Sequence, residues 1–301
     1  MIRRGAAVLA TVGLVLSFAL PARAAGHGVS PRRASPVWEQ LPAGGSGFLV
    51  WSQNSPGRPD HFDLYARPKH GPAFRVNPPR SQAYAGGIRG SFLVYQLIKG
   101  RHSDLRLYDL ATRHGWNPPA GVNTSHEESA PSMFGSWLLF TRKLTETWPV
   151  YKVLLFNLTT HRTLRLAVVR GPHVYAAAGQ VNGDFATWQE CTDHMKCQVF
   201  RYQISTDRIL RVPNPNAYQY APSVAADGTV FFARSGSACG ADVRLLRYRG
   251  IGSPHRVTEL PGGIDVGDTY VVRDGYGGEH LLYDHTSCDP FTADIYRIAL
   301  G

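Results

Sequence analysis

The chain has 301 residues, a formal net charge of +10, 43% apolar residues, 18% charged and 11% aromatic. That aromatic-rich, modestly charged composition excludes a disordered chain. Its 31 glycines and 21 prolines interrupt it too often for long helices, so many short elements joined by turns are expected.

In chain order, the first segment reads as an export signal. Arg3 and Arg4 precede a charge-free apolar run from Gly5 to Leu20, and Ala22-Arg23-Ala24 has the small-x-small form of a cleavage site. Residues 1–24 are therefore expected to be a removed signal peptide. Residues 25–34 would be a flexible mature N-terminus and 35–301 one folded domain. Of a twin-arginine signal only the Arg3-Arg4 pair is present. No later segment is long and apolar enough for a membrane helix. Losing Arg3, Arg4 and Arg23 lowers the net charge to +7, scattered without a basic tract. Nucleic acid is thus a poor partner. The expected product is secreted or otherwise extracytoplasmic, and monomeric.

Beyond residue 35 the chain repeats itself. A strand-like segment ending in an aromatic recurs six times: GFLVW (47–51), SFLVY (91–95), SWLLF (136–140), DFATW (184–188), TVFF (229–232) and HLLY (280–283). The terminal aromatics Trp51, Tyr95, Phe140, Trp188, Phe232 and Tyr283 are 44, 45, 48, 44 and 51 residues apart. A second segment follows each, holding Tyr65, Tyr108, Phe156, Tyr202, Tyr248 and Tyr296 at offsets of 14, 13, 16, 14, 16 and 13. Both rows are rich in β-branched and aromatic residues and read as strands. A shorter strand often follows, as in AFRV (73–76), TLRL (163–166) and ILRV (209–212). Another precedes, near AYAGGI (83–88), SAPSMF (129–134), VYAAAGQV (174–181), YAPSVA (220–225) and TYVVRD (269–274). Four strands in units of about 46 residues, repeated six times, predict an all-β, six-bladed β-propeller of four-stranded antiparallel blades. The two aromatic rows are expected to pack between blades. The last blade lacks an outer strand: VWEQLP (37–42) would supply it, or else ASPVW (34–38) is the inner strand of blade one.

These units resemble the TolB-like (WD40-like) β-propeller repeat. The shared pattern is a small-Pro-Ser segment, a turn of SPDG type, an apolar strand ending in an aromatic, and Asp-Leu-Tyr. It is carried here by Ala221-Pro222-Ser223 with Asp227-Gly228, Ala130-Pro131-Ser132 with Gly135, and Asp63-Leu64-Tyr65. Blades two and four keep Gly90 and Gly183-Asp184 of the turn, and no unit has a complete SPDG. The resemblance covers about 35–300. It implies a six-bladed propeller and partner binding in the cell envelope, and it supplies no catalytic residue.

Four cysteines, an even number in an exported chain, suggest two disulfides. Cys191 and Cys197 share one loop and would clip it. Cys239 and Cys288 sit in equivalent loops of adjacent blades and would meet across the face. No CxxC or HxxxH spacing marks a metal site. In a propeller, the loops entering the inner strands lie on that same face. They should ring the channel mouth with Tyr84, His126, Glu127, Glu128, His173, Tyr175, Tyr218, Tyr220, Asp265 and Asp268, a lining suited to a small molecule or peptide. GxSxG, HExxH, Walker A and dinucleotide motifs are absent. The expectation is a non-enzymatic module that binds a protein, peptide or glycan, without a cofactor. The alternative is a hydrolase or lyase in which Glu127 or Glu128 and Asp265 or Asp268 act as acid and base; the same carboxylates would equally hold a channel cation through oxygen.

Overall fold

The computed structural model describes residues 30–33, 39–45, 47–55, 58–100, 102–192, 196–213, 218–235, 243–260, 264–273, 278–288 and 291–300. The expected signal peptide lies outside these residues. All regular elements described are strands, and among the described residues no helix is long and apolar enough to cross a membrane.

The strands form six separate antiparallel sheets. Blade one runs from inner to outer strand as Glu39–Gly45, Phe48–Ser55, Arg58–Pro68 and Phe74–Arg75; blades two to five repeat this order from Gln82, Glu127, Tyr175 and Tyr218. Blade six uses Glu279–Cys288 and Phe291–Leu300, with a divided inner strand, Ile264–Asp265 and Thr269–Arg273. Its outer strand is Ser30–Arg33, paired antiparallel with Phe291–Leu300. This corrects the reading of VWEQLP as the closing strand: its residues 39–42 belong to the inner strand of blade one, and the closing strand comes from inside 25–34. ASPVW lies outside the described residues.

The aromatic rows do what their spacing predicts. Trp51, Tyr95, Phe140, Trp188, Phe232 and Tyr283 are all buried, as are Tyr108, Phe156, Tyr202 and Tyr248 of the second row. All of these except Trp51 belong to hydrophobic clusters that each straddle neighbouring blades, for example Leu139 and Val153 of blade three with Trp188 and Tyr202 of blade four. A four-stranded blade has two apolar faces and buries neither alone, so the blades are each other's core. Burying one such ring contributes roughly 2–3 kcal/mol. Trp188 also stacks on Phe200 at 5.3 Å and donates its indole N–H to Glu190 Oε1 at 2.7 Å.

The repeat motifs have local roles. Gly47, Gly90, Gly135, Gly183 and Gly228 turn the chain from inner to second strand with φ between +58° and +84°, a region open to glycine. The small-Pro-Ser segment is a β-bulge: Ala130-Pro131 and Ala221-Pro222 each oppose one residue of the second strand. Leu41-Pro42, Gly86-Gly87 and Gly179-Gln180 do the same. Leu41, Ala130 and Ala221 adopt φ of 54°, 48° and 51°, unusual for non-glycine residues. Neighbouring bulges touch around the axis. A Cβ on Gly179 would lie 2.2 Å from Pro222 O, and one on Gly86 would lie 2.5 Å from Pro131 O.

Asp63 of Asp-Leu-Tyr is buried and accepts from Ser55, Asn77 and Arg75. The Cys191–Cys197 disulfide forms as expected, between residues paired across the second and third strands of blade four. The Cys239–Cys288 pairing lies outside the described residues.

Trp188→Ala should cost about 3–5 kcal/mol, read as a loss of denaturation free energy. Gly179→Ala should cost about 1–3 kcal/mol through the backbone clash. A melting point within 2 °C of wild type for either, by the scale of about 2–4 °C per kcal/mol, would contradict inter-blade packing as the source of stability.

Candidate functional site: the channel mouth

The inner strands of all six blades surround a channel that opens on the face bearing the Cys191–Cys197 loop. Its mouth is a cavity of about 380 Å³ lined by Tyr84, Tyr175, Tyr218, Tyr220, Gln96 and Asp268 together with bulge residues. Below, the bulges of the blades narrow it to a space of about 50 Å³, ringed by Pro42, Gly86, Pro131, Gly179, Pro222 and Asp268. Deeper still, two side chains cross the axis. Gln180 of blade four accepts from Val271 N at 2.9 Å and donates to Val271 O at 2.7 Å, in blade six. Tyr270 of blade six accepts from Ile88 N of blade two at 3.2 Å. Both are buried. The mouth is therefore a floored cup.

Each bulge removes inner-strand N–H groups from the ladder, and those groups need acceptors. The residue after the second-strand aromatic supplies several. Ser52 Oγ accepts from Ala85 N at 2.7 Å, Thr141 Oγ1 from Ala178 N at 2.7 Å, and Gln189 Oε1 from Ala221 N at 2.8 Å. In blade six this position is Asp284, which accepts from Leu41, Gly267 and Asp268 N–H groups, the last at 2.8 Å. Sequence reasoning missed this ring. Its signal was present in the repeat, where the residue after the aromatic is Ser52, Gln96, Thr141, Gln189, Ala233 and Asp284.

Of the expected mouth residues, the structure brings together Tyr84, Tyr175, Tyr218, Tyr220 and Asp268, with Asp265 bound to them through Tyr220. Tyr218 and Tyr220 stack at 4.6 Å, Tyr84 rests on Phe62 at 5.4 Å and Tyr175 meets Tyr151 edge-on at 5.7 Å. Asp265 accepts from the Tyr220 hydroxyl and from Val266 N at 2.7 Å. The other expected residues lie elsewhere. His126 and Glu127 line a separate groove of about 550 Å³ with His102, Lys143 and Glu146. Glu128 is fully buried and holds Arg142 at 2.7 Å. His173 is exposed in the turn before the inner strand of blade four and does not line the cup. These four are removed from the mouth because an inner strand alternates sides, and because loop length carries a residue outward as readily as upward.

Three carboxyl groups gather at the divided inner strand of blade six. Burial pushes Asp284 up to about 7, and Asp265 adds to this, against the pull of its three N–H donors. Burial, and then the Asp284 carboxyl, hold Asp268 well above the usual carboxylate range. Burial and Asp265 push the Tyr218 and Tyr220 hydroxyls upward, so both remain donors at neutral pH. Among the described residues no three His, Cys, Asp or Glu side chains converge as metal ligands.

No known sequence-family profile matches the chain, and no curated protein matches it. Solved structures do. The putative TolB from Agrobacterium tumefaciens has a TM-score of 0.58 at 12% identity, covering 89% of this chain and 92% of that one. TolB from Acinetobacter baumannii has a TM-score of 0.56 at 17% identity, covering 85% of this chain and 64% of its own. The fold is that of a TolB-like β-propeller. The same blades recur in an oligogalacturonate lyase in complex with manganese, with a TM-score of 0.52 at 10% identity over 85% and 86% of the two chains. They recur again in a prolyl endopeptidase, of which this chain spans 41%, with a TM-score of 0.55 at 16% identity over 86% of this chain.

The Asp284 pKa gives a testable sign. It lies above the unfolded value of about 3.9, so the folded protein binds this proton more tightly. Stability from the group is complete below about pH 4 and declines as pH rises to about 7. Asp284→Asn keeps an acceptor and removes the titration. Relative to wild type it should gain about 1 kcal/mol or more between those limits, read by urea denaturation at both. A gap that does not change with pH would refute the buried-acid assignment.

Proposed function

We propose that this protein is an extracytoplasmic, monomeric, non-enzymatic binding module that captures a peptide segment of another protein in the floored cup at the channel mouth. The observation that carries this reading is the cup itself. Rigid tyrosines and bulge backbone from all six blades converge on a cavity large enough for one or two side chains, while Gln180 and Tyr270 bar passage through the ring. Tyrosine supplies large contact area with little entropy to lose and a hydroxyl for hydrogen bonding. The TolB-like fold supports a binding role by analogy. The disulfide and the signal-like 1–24 segment support export.

The lyase or hydrolase reading draws on the likeness to the oligogalacturonate lyase and on the raised carboxyls. Such chemistry needs two reachable groups. Asp284 is 1% exposed with its oxygens engaged by backbone N–H groups, and Asp265 is engaged by Tyr220 and Val266. Among the described residues Asp268 is the one carboxyl that lines the cup, and no histidine does. The geometry favours binding.

A displayed random-peptide library panned on the wild-type protein should yield sequences whose affinity falls at least about tenfold in Tyr175→Ala/Tyr218→Ala. The variant should melt near wild type, because Tyr175 is 45% exposed and Tyr218 half-buried. Selected peptides that bind this variant unchanged would place recognition elsewhere.

A further inference from the structure

We propose that the cup recognises an organic cation, the guanidinium or protonated amine of a basic peptide residue, held among Tyr84, Tyr175 and Tyr218 and over the Asp268 carboxyl. The inference rests on the reading of the cup as a peptide site and names the group it takes.

The first argument is charge. The chain carries +10 overall, yet the described residues lining the cup include no Lys, Arg or His; the one ionisable group besides tyrosine is Asp268. A basic protein with a locally acidic concavity concentrates cations there.

The second argument is an unmet partner. Four other inward carboxyls are engaged: Asp63 by Arg75, Glu128 by Arg142, Asp265 by Tyr220, and Asp284 by three N–H groups. Among the described residues nothing donates a hydrogen bond to the Asp268 carboxyl and no cation pairs with it. It sits half-buried between mouth and waist. In the repeat it aligns with Pro42, Pro131 and Pro222, so an apolar residue would serve there; the acid is not required by the fold.

The third argument is the walls. Tyr84, Tyr175 and Tyr218 are each held by an aromatic neighbour, so their faces are fixed before a ligand arrives. Aromatic faces with a carboxyl attract a weakly hydrated cation. A small metal ion requires several oxygen or nitrogen donors, and three do not converge among the described residues. The waist of about 50 Å³ and the Gln180–Tyr270 floor limit entry to one side chain.

The titratable groups around Asp268 are Asp284 in blade six, Tyr218 and Tyr220 in blade five, Tyr175 in blade four and Tyr84 in blade two. None carries a positive charge. Burial and Asp284 keep a proton on the acid pair, so a bound cation would displace it and affinity would rise with pH.

The test titrates wild type, with isotopically labelled tyrosine, with N-acetyl-arginine amide, N-acetyl-lysine amide and the neutral isostere N-acetyl-citrulline amide, following tyrosine resonances. The arginine probe should bind at least about tenfold more tightly than citrulline, more weakly at about pH 5 than at about pH 8, and Asp268→Asn should abolish both differences while melting no lower than wild type. The lysine probe reads whether an amine is accepted as well as a guanidinium. Equal binding of arginine and citrulline, a preference that survives Asp268→Asn, or no response to any probe would overturn the inference. Tyrosine-dependent library peptides without a basic residue would also overturn it and leave the peptide site standing. Arginine preference without tyrosine-dependent peptides would do the reverse.

Discussion

The structure depends on how unpaired inner-strand N–H groups are satisfied. A bulge in every inner strand lets six strands curve around one axis, and each bulge costs ladder hydrogen bonds. Donors left unpaired in a dry interior would be expensive, on the order of 1–3 kcal/mol each. Side chains of the neighbouring blade accept them, as Ser52, Thr141, Gln189 and Asp284 show. The blades are thus stitched near the axis by hydrogen bonds and further out by aromatic rings. The same ring of bulges narrows the channel and shapes the cup above it.

Blade six departs from the rule in ways that concentrate chemistry. Its inner strand is split, its acceptor is a carboxylate where its neighbours use neutral groups, and it carries Asp268 where three others carry proline. A charged acceptor is a poor choice for stability in a buried place, and its raised pKa records that cost. Departures from a repeat that weaken the fold are where function is best sought. Here Asp268 lines the cup at the channel mouth, to which all six blades contribute.

Much of this was legible in the sequence. Period, blade count, strand order and the packing role of Trp51 through Tyr283 followed from spacing alone, because a repeat reports the same environment six times. The tyrosines of the mouth were legible too, since they open inner strands. Glu128 and His126 were misplaced because loop geometry has no period: one is consumed by Arg142, the other turns to an outer groove. Closure by Ser30–Arg33 was hidden because a four-residue outer strand needs only backbone hydrogen bonds and leaves little pattern. The Asp284 and Gln180 roles were visible only as breaks in aligned columns, which single motifs do not display.

The seam in blade six joins the earliest described segment to the last ten-residue strand. Five sheets are assembled from consecutive sequence and can form as the chain emerges. The sixth must wait, its oldest strand idle until residues 291–300 have been made, so the circle closes only after the other five sheets have their full sequence. The cup inherits that timing: its acidic wall, Asp268, belongs to the sheet that closes last.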